Sequence, residues 1–394
     1  MPTKKTTRRA KGDGLIHKRS DGRWEARYTI GKDPGTGKQV RRSVYGKTQD
    51  EVRRKLKAAT QAVDEGTYTE PSKLSLSAWL DIWVSEYLEG VKPRTADSYK
   101  STCNNHLKPK LGAMKLDNLQ SHTIQEFYNR LYRGDGDAPL LSAKTLKNIH
   151  GVLHRALSQA VNIGYLRQNP ADACNLPKVQ KKEIRPLEEA EITTFLEAVQ
   201  GHRYAIVYMV TLFTGMRQGE VLGLTWDNID LDGGVITINK QLQRERGGAG
   251  EYHFVAPKNG KGRQITPPAT ALKLLRAQRA KQNEWRLQAG QAWANDTNLV
   301  FTDELGHNLS PQTVYLHFKK VAGAIGLPEA RFHDLRHTYA VAALQSGIDV
   351  KTVQENLGHH TAAFTLDIYG HVTRKMAQDA ADKMENFIKG VSNL

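Results

Sequence analysis

The sequence predicts a multidomain α+β protein. It should have a small N-terminal three-stranded sheet plus helix, then a central helical bundle. A C-terminal mixed α/β domain follows, mostly helical with a small antiparallel sheet. Three observations carry this. At 394 residues the chain is too long for one ordinary hydrophobic core, so two or three domains are expected. Charge is unevenly spread: residues 1–60 hold 18 Lys and Arg against 6 Asp and Glu, so +12 of the net +16 sits there. The hydrophobic period also changes along the chain, from alternation to a helical repeat to a mixture of the two. Boundaries are placed at 1–66, 74–171 and 184–394.

In the first segment, "SDG" (20–22) and "DPGTG" (33–37) are turn signals between alternating runs. Trp24, Ala26, Tyr28 and Ile30 share one face of a strand, and Arg23, Glu25, Arg27 and Thr29 the other. Arg41 follows on the next strand. Thr48 and Glu51 form a capping box opening a helix to about Asp64, whose Val52, Leu56 and Ala59 can cover the apolar face. One arginine-bearing face is left free. A sheet of this size fits the major groove of DNA, where arginine reads guanine or binds phosphate. The plainer reading is a solvated charged face.

After a linker at 66–73, four helical stretches follow. They begin at "LSLSAWLDIWVSEYL", at "KPRTADSYKSTCNNHL" with Pro93 in its first turn, at a Ser121 cap and at Ser142. The last carries an apolar stripe of Leu146, Ile149, Leu153, Leu157 and Ala160, with Lys144, Lys147, His154 and Arg155 off it. Beyond a Pro- and Lys-rich connector, helices are expected at 188–200, 202–214, 269–288, 311–325, 334–346 and 349–357. Strands are expected at 234–239, 252–257, 263–267 and 299–301. The chain ends in an apolar helical stripe of Met376, Ala380, Met384, Phe387 and Ile388.

Several classes are excluded. No run of eighteen apolar residues exists, and the N-terminus lacks the apolar core of a signal peptide. Two cysteines, Cys103 and Cys174, make neither a disulfide framework nor a four-cysteine zinc site. The expectation is a soluble protein of a reducing cytoplasm with no membrane association. The histidines lack carboxylate or cysteine partners at zinc spacing, so no metal is expected. A serine hydrolase is excluded by the missing G-x-S-x-G elbow.

The chemistry-bearing stretch is "RFHDLRHTYA" (331–340). Phe332, Leu335, Tyr339 and Ala343 recur at helical spacing, so one face packs inward, and His333 and Arg336 share a flank beside it. A buried arginine is costly unless something anionic meets it. Other candidates stand elsewhere. "LFTGMRQGEVLGLTW" puts Arg217 at a helix start, with Glu220 one turn on to hold its guanidinium. "VAPKNGKGRQI" (255–265) reads as a hairpin whose turn carries Lys258, Lys261 and Arg263. His359 follows a glycine that ends a helix, with His360 beside it, and Tyr369 comes ten residues later. Taken singly, each has a plain explanation as a core histidine, a cap, an exposed lysine or a packed tyrosine. Together they fit one anion, a phosphodiester. Arg217, Arg336 and a histidine surround its non-bridging oxygens, Tyr369 attacks, His333 accepts a proton and a turn lysine gives one to the departing oxygen.

The ordered series Arg217, Lys258, His333-x-x-Arg336, His359, Tyr369 resembles the catalytic set of the tyrosine recombinases. "TGMRQGE", "HDLRHTYA", "LGH" and "IYGHV" are similar to that family's motif boxes. The resemblance assigns the proton donor to Lys258 over Lys261, the histidine to His359 over His360, and a structural place to His371. It implies a core-site DNA-binding domain at 74–171 and, over residues 1–66, an arm-site-binding module like that of phage and conjugative-transposon integrases. It further implies cutting and rejoining of double-stranded DNA at core-type and arm-type attachment sites through a 3′-phosphotyrosyl intermediate and a Holliday junction. The partners implied are a homotetramer on DNA, a host DNA-bending protein and an excision factor. No cofactor is implied. The setting would be a bacterial cytoplasm. Chromosome-dimer resolvases and type IB topoisomerases share the chemistry, and a catalytically silent DNA-binding regulator is the alternative from another class.

Overall fold

The computed structural model describes residues 16–32, 35–65, 74–134, 140–180, 185–244, 251–257, 260–359, 361, 363 and 373–391, without the side chains of 373–380 and 383. The chain divides at Gln180/Lys181 into two units. Among the described residues, no helix is long and apolar enough to cross a membrane.

The first unit begins with β1 (Ile16–Lys18), β2 (Trp24–Lys32) and β3 (Gln39–Gly46), an antiparallel sheet in the order β1-β2-β3. Ala26 packs with Val52 and Leu56 of α1 (Gln49–Asp64), and Ile16, Trp24, Tyr28 and Val44 close the edges. The expected ββα layering is therefore present. The register shifts between Thr29 and Gly31, which interrupts the simple alternation at Ile30. Thr48 caps α1, its hydroxyl accepting from the Glu51 amide at 3.2 Å. The Glu51 carboxylate accepts from the Lys47 amide at 2.8 Å, one residue earlier than a capping box requires.

The helical part contains α2 (Leu76–Glu86) and α3 (Pro93–Thr102), the latter running through a π turn (Cys103–Leu107) into α4 (Lys108–Leu111). Then come α5 (Ser121–Arg133) and α6 (Ala143–Asn162). Leu76, Trp79, Leu80, Trp83, Leu107 and Tyr128 are fully buried with the predicted stripe of α6. The Trp79 indole donates to the Ala156 carbonyl at 3.0 Å and ties α2 to α6, satisfying the one polar atom that burial of the ring would strand. Ser142 caps α6 as expected. Ser121 does not cap α5: it is the first helical residue, after Gln120, and no side chain caps that end.

In the second unit, α7 (Glu189–Ala198), α8 (Ala205–Thr214), α9 (Gln218–Leu222), α10 (Ala269–Ala289), α11 (Pro311–Ala324) and the first turn of α12 (Phe332–Gln345) enclose the largest core, while Val353 and Leu357 of α13 (Val350–Leu357) pack in a smaller one with Ala340, Ala343 and Leu344 of α12. Phe195, Tyr208, Phe318 and Phe332 meet in tilted and edge contacts there. Segment 299–301 is buried but is no strand; bridges at Thr225–Leu299 and Thr302–Asn308 flank it.

The strands differ from the expected hairpin. β4 (Ile229–Asp230), β5 (Val235–Ile238) and β8 (Arg263–Ile265) form one sheet, β6 (Gln241–Arg244) and β7 (Tyr252–Val255) another. So β7 pairs with β6, not with β8. Ile238 faces Arg263 and Gln241 faces Val255, with two residues between one pair of positions and seven between the other. "KNGKG" therefore lies in a segment that interrupts a longer ribbon.

Candidate active site

Arg336 is 1% exposed, on the inward flank of α12. Its Nη1 donates to the Gly215 carbonyl at 2.6 Å and its Nη2 to the Leu357 carbonyl at 2.5 Å. The oxygens meeting this buried cation are thus main-chain carbonyls at the C-terminal ends of α8 and α13. Helix ends carry partial negative charge and orphan carbonyls, so both deficits are met at once. Both ends rely on glycine: Gly215 has φ 66° and Gly358 φ 62°, and a Cβ on Gly215 would collide with the Tyr339 ring.

Arg217 is the N-cap of α9 and partly open to solvent. Its Nη1 donates to Glu220 Oε1 at 2.7 Å and its Nη2 to the Gly358 carbonyl at 3.2 Å. Arg217 and Arg336 therefore hold successive carbonyls, Gly358 and Leu357, immediately before His359. The ring of His359 is pushed down to about 3, by burial first and then by Arg336 and Arg217. The Gln354 side chain donates to the His359 carbonyl at 2.6 Å, and the His359 amide donates to the Gln354 carbonyl at 3.1 Å.

His333 sits in the first turn of α12 on the site's rim, open to solvent on one side and hemmed in on the other. Its imidazole lies well below the usual histidine range, through burial and then through Arg336 and Arg217. Edge-on to it, 4.8 Å between centroids, stands the ring of His337, which is buried and pushed down to about 4 by burial and by His333. Beside two guanidiniums the imidazole stays neutral, so a ring nitrogen keeps a lone pair that can accept a proton; the imidazolium formed is then a third positive charge in the site, which favours passing the proton on.

The sequence reading brought out Arg217, Glu220, His333, Arg336 and His359, and the fold gathers all five. Lys258, His360, Tyr369 and His371 lie outside the described residues. Arg263 and His337 were missed. Arg263, read with Lys258 and Lys261 at the turn where the expected strand 263–267 begins and given no task, is the first residue of β8, its side chain 10% exposed and its fork on the Glu220 carboxylate. A single polar residue heading a strand that continues "QI" was the only available signal.

On the N-terminal sheet, Arg23, Arg27 and Arg41 are exposed. Arg23 donates to Asp21 and Arg41 to Gln39, whereas Arg27 donates to Glu25 at 2.9 Å. Glu25 is 2% exposed on that otherwise open face. Its carboxylate also accepts from Ser43 and Arg19, and hydrogen bonds from Arg27 and Ser43 hold it at about 2. Lys144 and Lys147 are exposed on α6.

Two guanidiniums and neutral imidazoles gathered in this way suit an anion such as a phosphodiester. The chain belongs to the phage integrase family, whose model matches residues 183–376. The SAM-like N-terminal domain of phage integrases matches residues 75–132. A tyrosine recombinase XerC-like protein of Caldanaerobacter subterraneus subsp. tengcongensis is 30% identical over 91% of this chain and 94% of its own. The ICEBs1 integrase of Bacillus subtilis is 23% identical over 95% of this chain and all of its own. Among solved structures, the Tn1549 transposon integrase in complex with a circular intermediate DNA matches with a TM-score of 0.67 at 21% identity, over 79% of this chain and 100% of that one. A lambda integrase tetramer bound to a Holliday junction matches at 0.53 and 19% identity, over 88% and 96%. This chain is a site-specific recombinase of the tyrosine class.

Proposed function

We propose that the protein integrates and excises a mobile element by a two-step transesterification in which each named residue has one task. The Tyr369 oxygen attacks the scissile phosphorus and its proton passes to His333. The bond from phosphorus to the 5′ oxygen breaks, and Lys258 protonates that oxygen. Arg217, Arg336 and His359 hold the non-bridging oxygens as charge accumulates. The 3′-phosphotyrosyl bond then yields to the 5′ hydroxyl of another strand, the proton transfers running backwards. One phosphoester replaces another at each step. The observation carrying this reading is the placement of Arg217 and Arg336 on consecutive carbonyls directly before His359, beside a deprotonated His333. A core-site duplex nicked near the cleavage point should trap the protein covalently, and peptide mapping of the adduct should return Tyr369. Attachment at any other residue would remove Tyr369 as the nucleophile.

DNA is held, on this reading, by three segments. The sheet face with Arg23, Arg27 and Arg41 takes arm-type sites, and α6 with Lys144 and Lys147 takes the core site. The catalytic domain at 184–394 takes the scissile linkage. Four protomers act on one junction. The C-terminal helix (Thr373–Val391) supports that assembly, since Met384, Phe387, Ile388 and Val391 stand 43–70% exposed. A host DNA-bending protein and an excision factor complete the proposed set in a bacterial cytoplasm.

Gly151 tests the α6 assignment. It lies on the exposed flank with Lys144 and Lys147, and nothing stands within 4 Å of where a Cβ would be. A mid-helix glycine costs about 1 kcal/mol against alanine. Gly151→Ala should therefore raise the melting temperature and yet weaken core-site DNA binding, if, as this reading requires, the exposed flank of α6 lies against the duplex. Unchanged affinity in a fluorescence anisotropy titration would place the duplex on another flank.

A further inference from the structure

Arg263 commits its whole guanidinium within the site. Nη1 and Nη2 donate to Glu220 Oε1 and Oε2 at 3.0 and 2.7 Å, and Nε donates to the Asn356 carbonyl at 2.7 Å. A Cβ on Gly358 would lie 3.0 Å from its Nη1, so the turn before His359 rests against the guanidinium. Glu220 is 1% exposed and accepts from Arg217 as well, through Nη1 at 2.7 Å and the main-chain amide at 2.9 Å. One carboxylate thus stands between two guanidiniums.

We infer that Arg263 is a positioning residue for strand cleavage: by taking both oxygens of Glu220 it offsets that carboxylate, so that the charge of Arg217 remains available to the scissile phosphate, and it fixes the turn that carries His359. Glu220 is needed to orient Arg217, but alone with it would form a neutral pair. The second arginine restores a net positive charge while leaving the orienting hydrogen bonds in place. Burial by itself would push the Glu220 carboxyl up, yet Arg263 and Arg217 reverse this and hold it at about 2. The carboxylate stays ionised and continues to orient both forks.

This rests on the phosphodiester reading above, and the test separates the two. Single-turnover cleavage of a nicked core-site duplex is measured in the full chain with a normal phosphate and with a neutral methylphosphonate at the scissile position. Arg263→Met should slow phosphate cleavage about ten- to a hundredfold, the scale on which supporting partners of a site act. On the methylphosphonate, which carries no charge to neutralise, its deficit against wild type should shrink at least several-fold, leaving the part owed to the turn before His359. A residue that only supported the fold would cost the same on both linkages, and that result would overturn the inference, as would full activity of Arg263→Met on phosphate. If Arg263→Met does not fold, Arg263→Met/Glu220→Gln is compared with Glu220→Gln. Similar phosphate rates support the offset, and a further large loss overturns it. Failure of the wild-type protein to form an adduct would sink the phosphodiester reading itself.

Discussion

Arg336→Lys should lower the single-turnover cleavage rate about a hundred- to a thousandfold, with DNA affinity unchanged, since that is the typical cost of losing one well-aimed donor to a transition state. The charge survives this substitution, so the loss isolates geometry. Arginine reaches two carbonyls at once, Gly215 and Leu357, from helix ends that are far apart in sequence. An ammonium on a flexible stem cannot span both in that plane. One carbonyl would then be stranded in the core, and the C-terminal end of α13 would lose the tether that sets His359. Each charge-assisted hydrogen bond contributes about 1.5–3 kcal/mol, so melting should also drop by several degrees. Gel-shift affinity, dominated by other surfaces, should hold. A lysine variant cleaving within tenfold of wild type would mean that Arg336 braces the fold without meeting phosphate.

Why Arg336 needed its oxygens was visible in the sequence, and where they come from was not. The spacing of Phe332, Leu335 and Tyr339 required a buried flank, and α12 delivers it with Leu335 and Arg336 both at or near zero exposure. The partners are 121 and 21 residues away, and no local pattern encodes them. The Arg217–Glu220 pair was legible because three residues along a chain entering a helix are neighbours by geometry alone. Arg263 was illegible for the opposite reason: its partner Glu220 lies 43 residues back. The strand error has a related cause. Glycine-rich "KNGKG" has the composition of a hairpin turn, and so does "RGGAG" upstream, so composition could not say which segment interrupts the ribbon. Register across a sheet is a tertiary fact, and it is the pairing of Arg263 with Ile238 that sets the guanidinium on Glu220.

Stability should fall as pH drops from 6.5 towards 4, well before carboxylates protonate. An unfolded histidine titrates near 6.5. His337 titrates at about 4 and His359 at about 3 in the folded chain, and His333 is likewise lowered. Below 6.5 the unfolded chain therefore takes up protons that the folded chain refuses, and this term favours unfolding. It is absent above 6.5 and complete once the pH has passed below the folded values. For His337, which is 7% exposed, the full effect is about 3 kcal/mol at 1.36 kcal/mol per pH unit. The groups facing it act in both directions: His333, Arg336 and Arg331 oppose its protonation and Asp334 favours it. Glu220 adds a later limb of the same sign, between about 4.5 and 2, because its folded value is depressed and the contribution of its ion pairs is lost on protonation. Melting temperatures at pH 7.5, 6.5, 5.5 and 4.5 should descend steeply over the last two intervals. His337→Gln, which cannot take the proton, should flatten that descent, and a wild-type curve level down to pH 5 would refute the assignment. For catalysis the consequence is specific: a base already neutral far below physiological pH leaves no histidine limb in the cleavage profile above pH 6.5. The acid side of that profile should follow unfolding, so that activity and melting decline together.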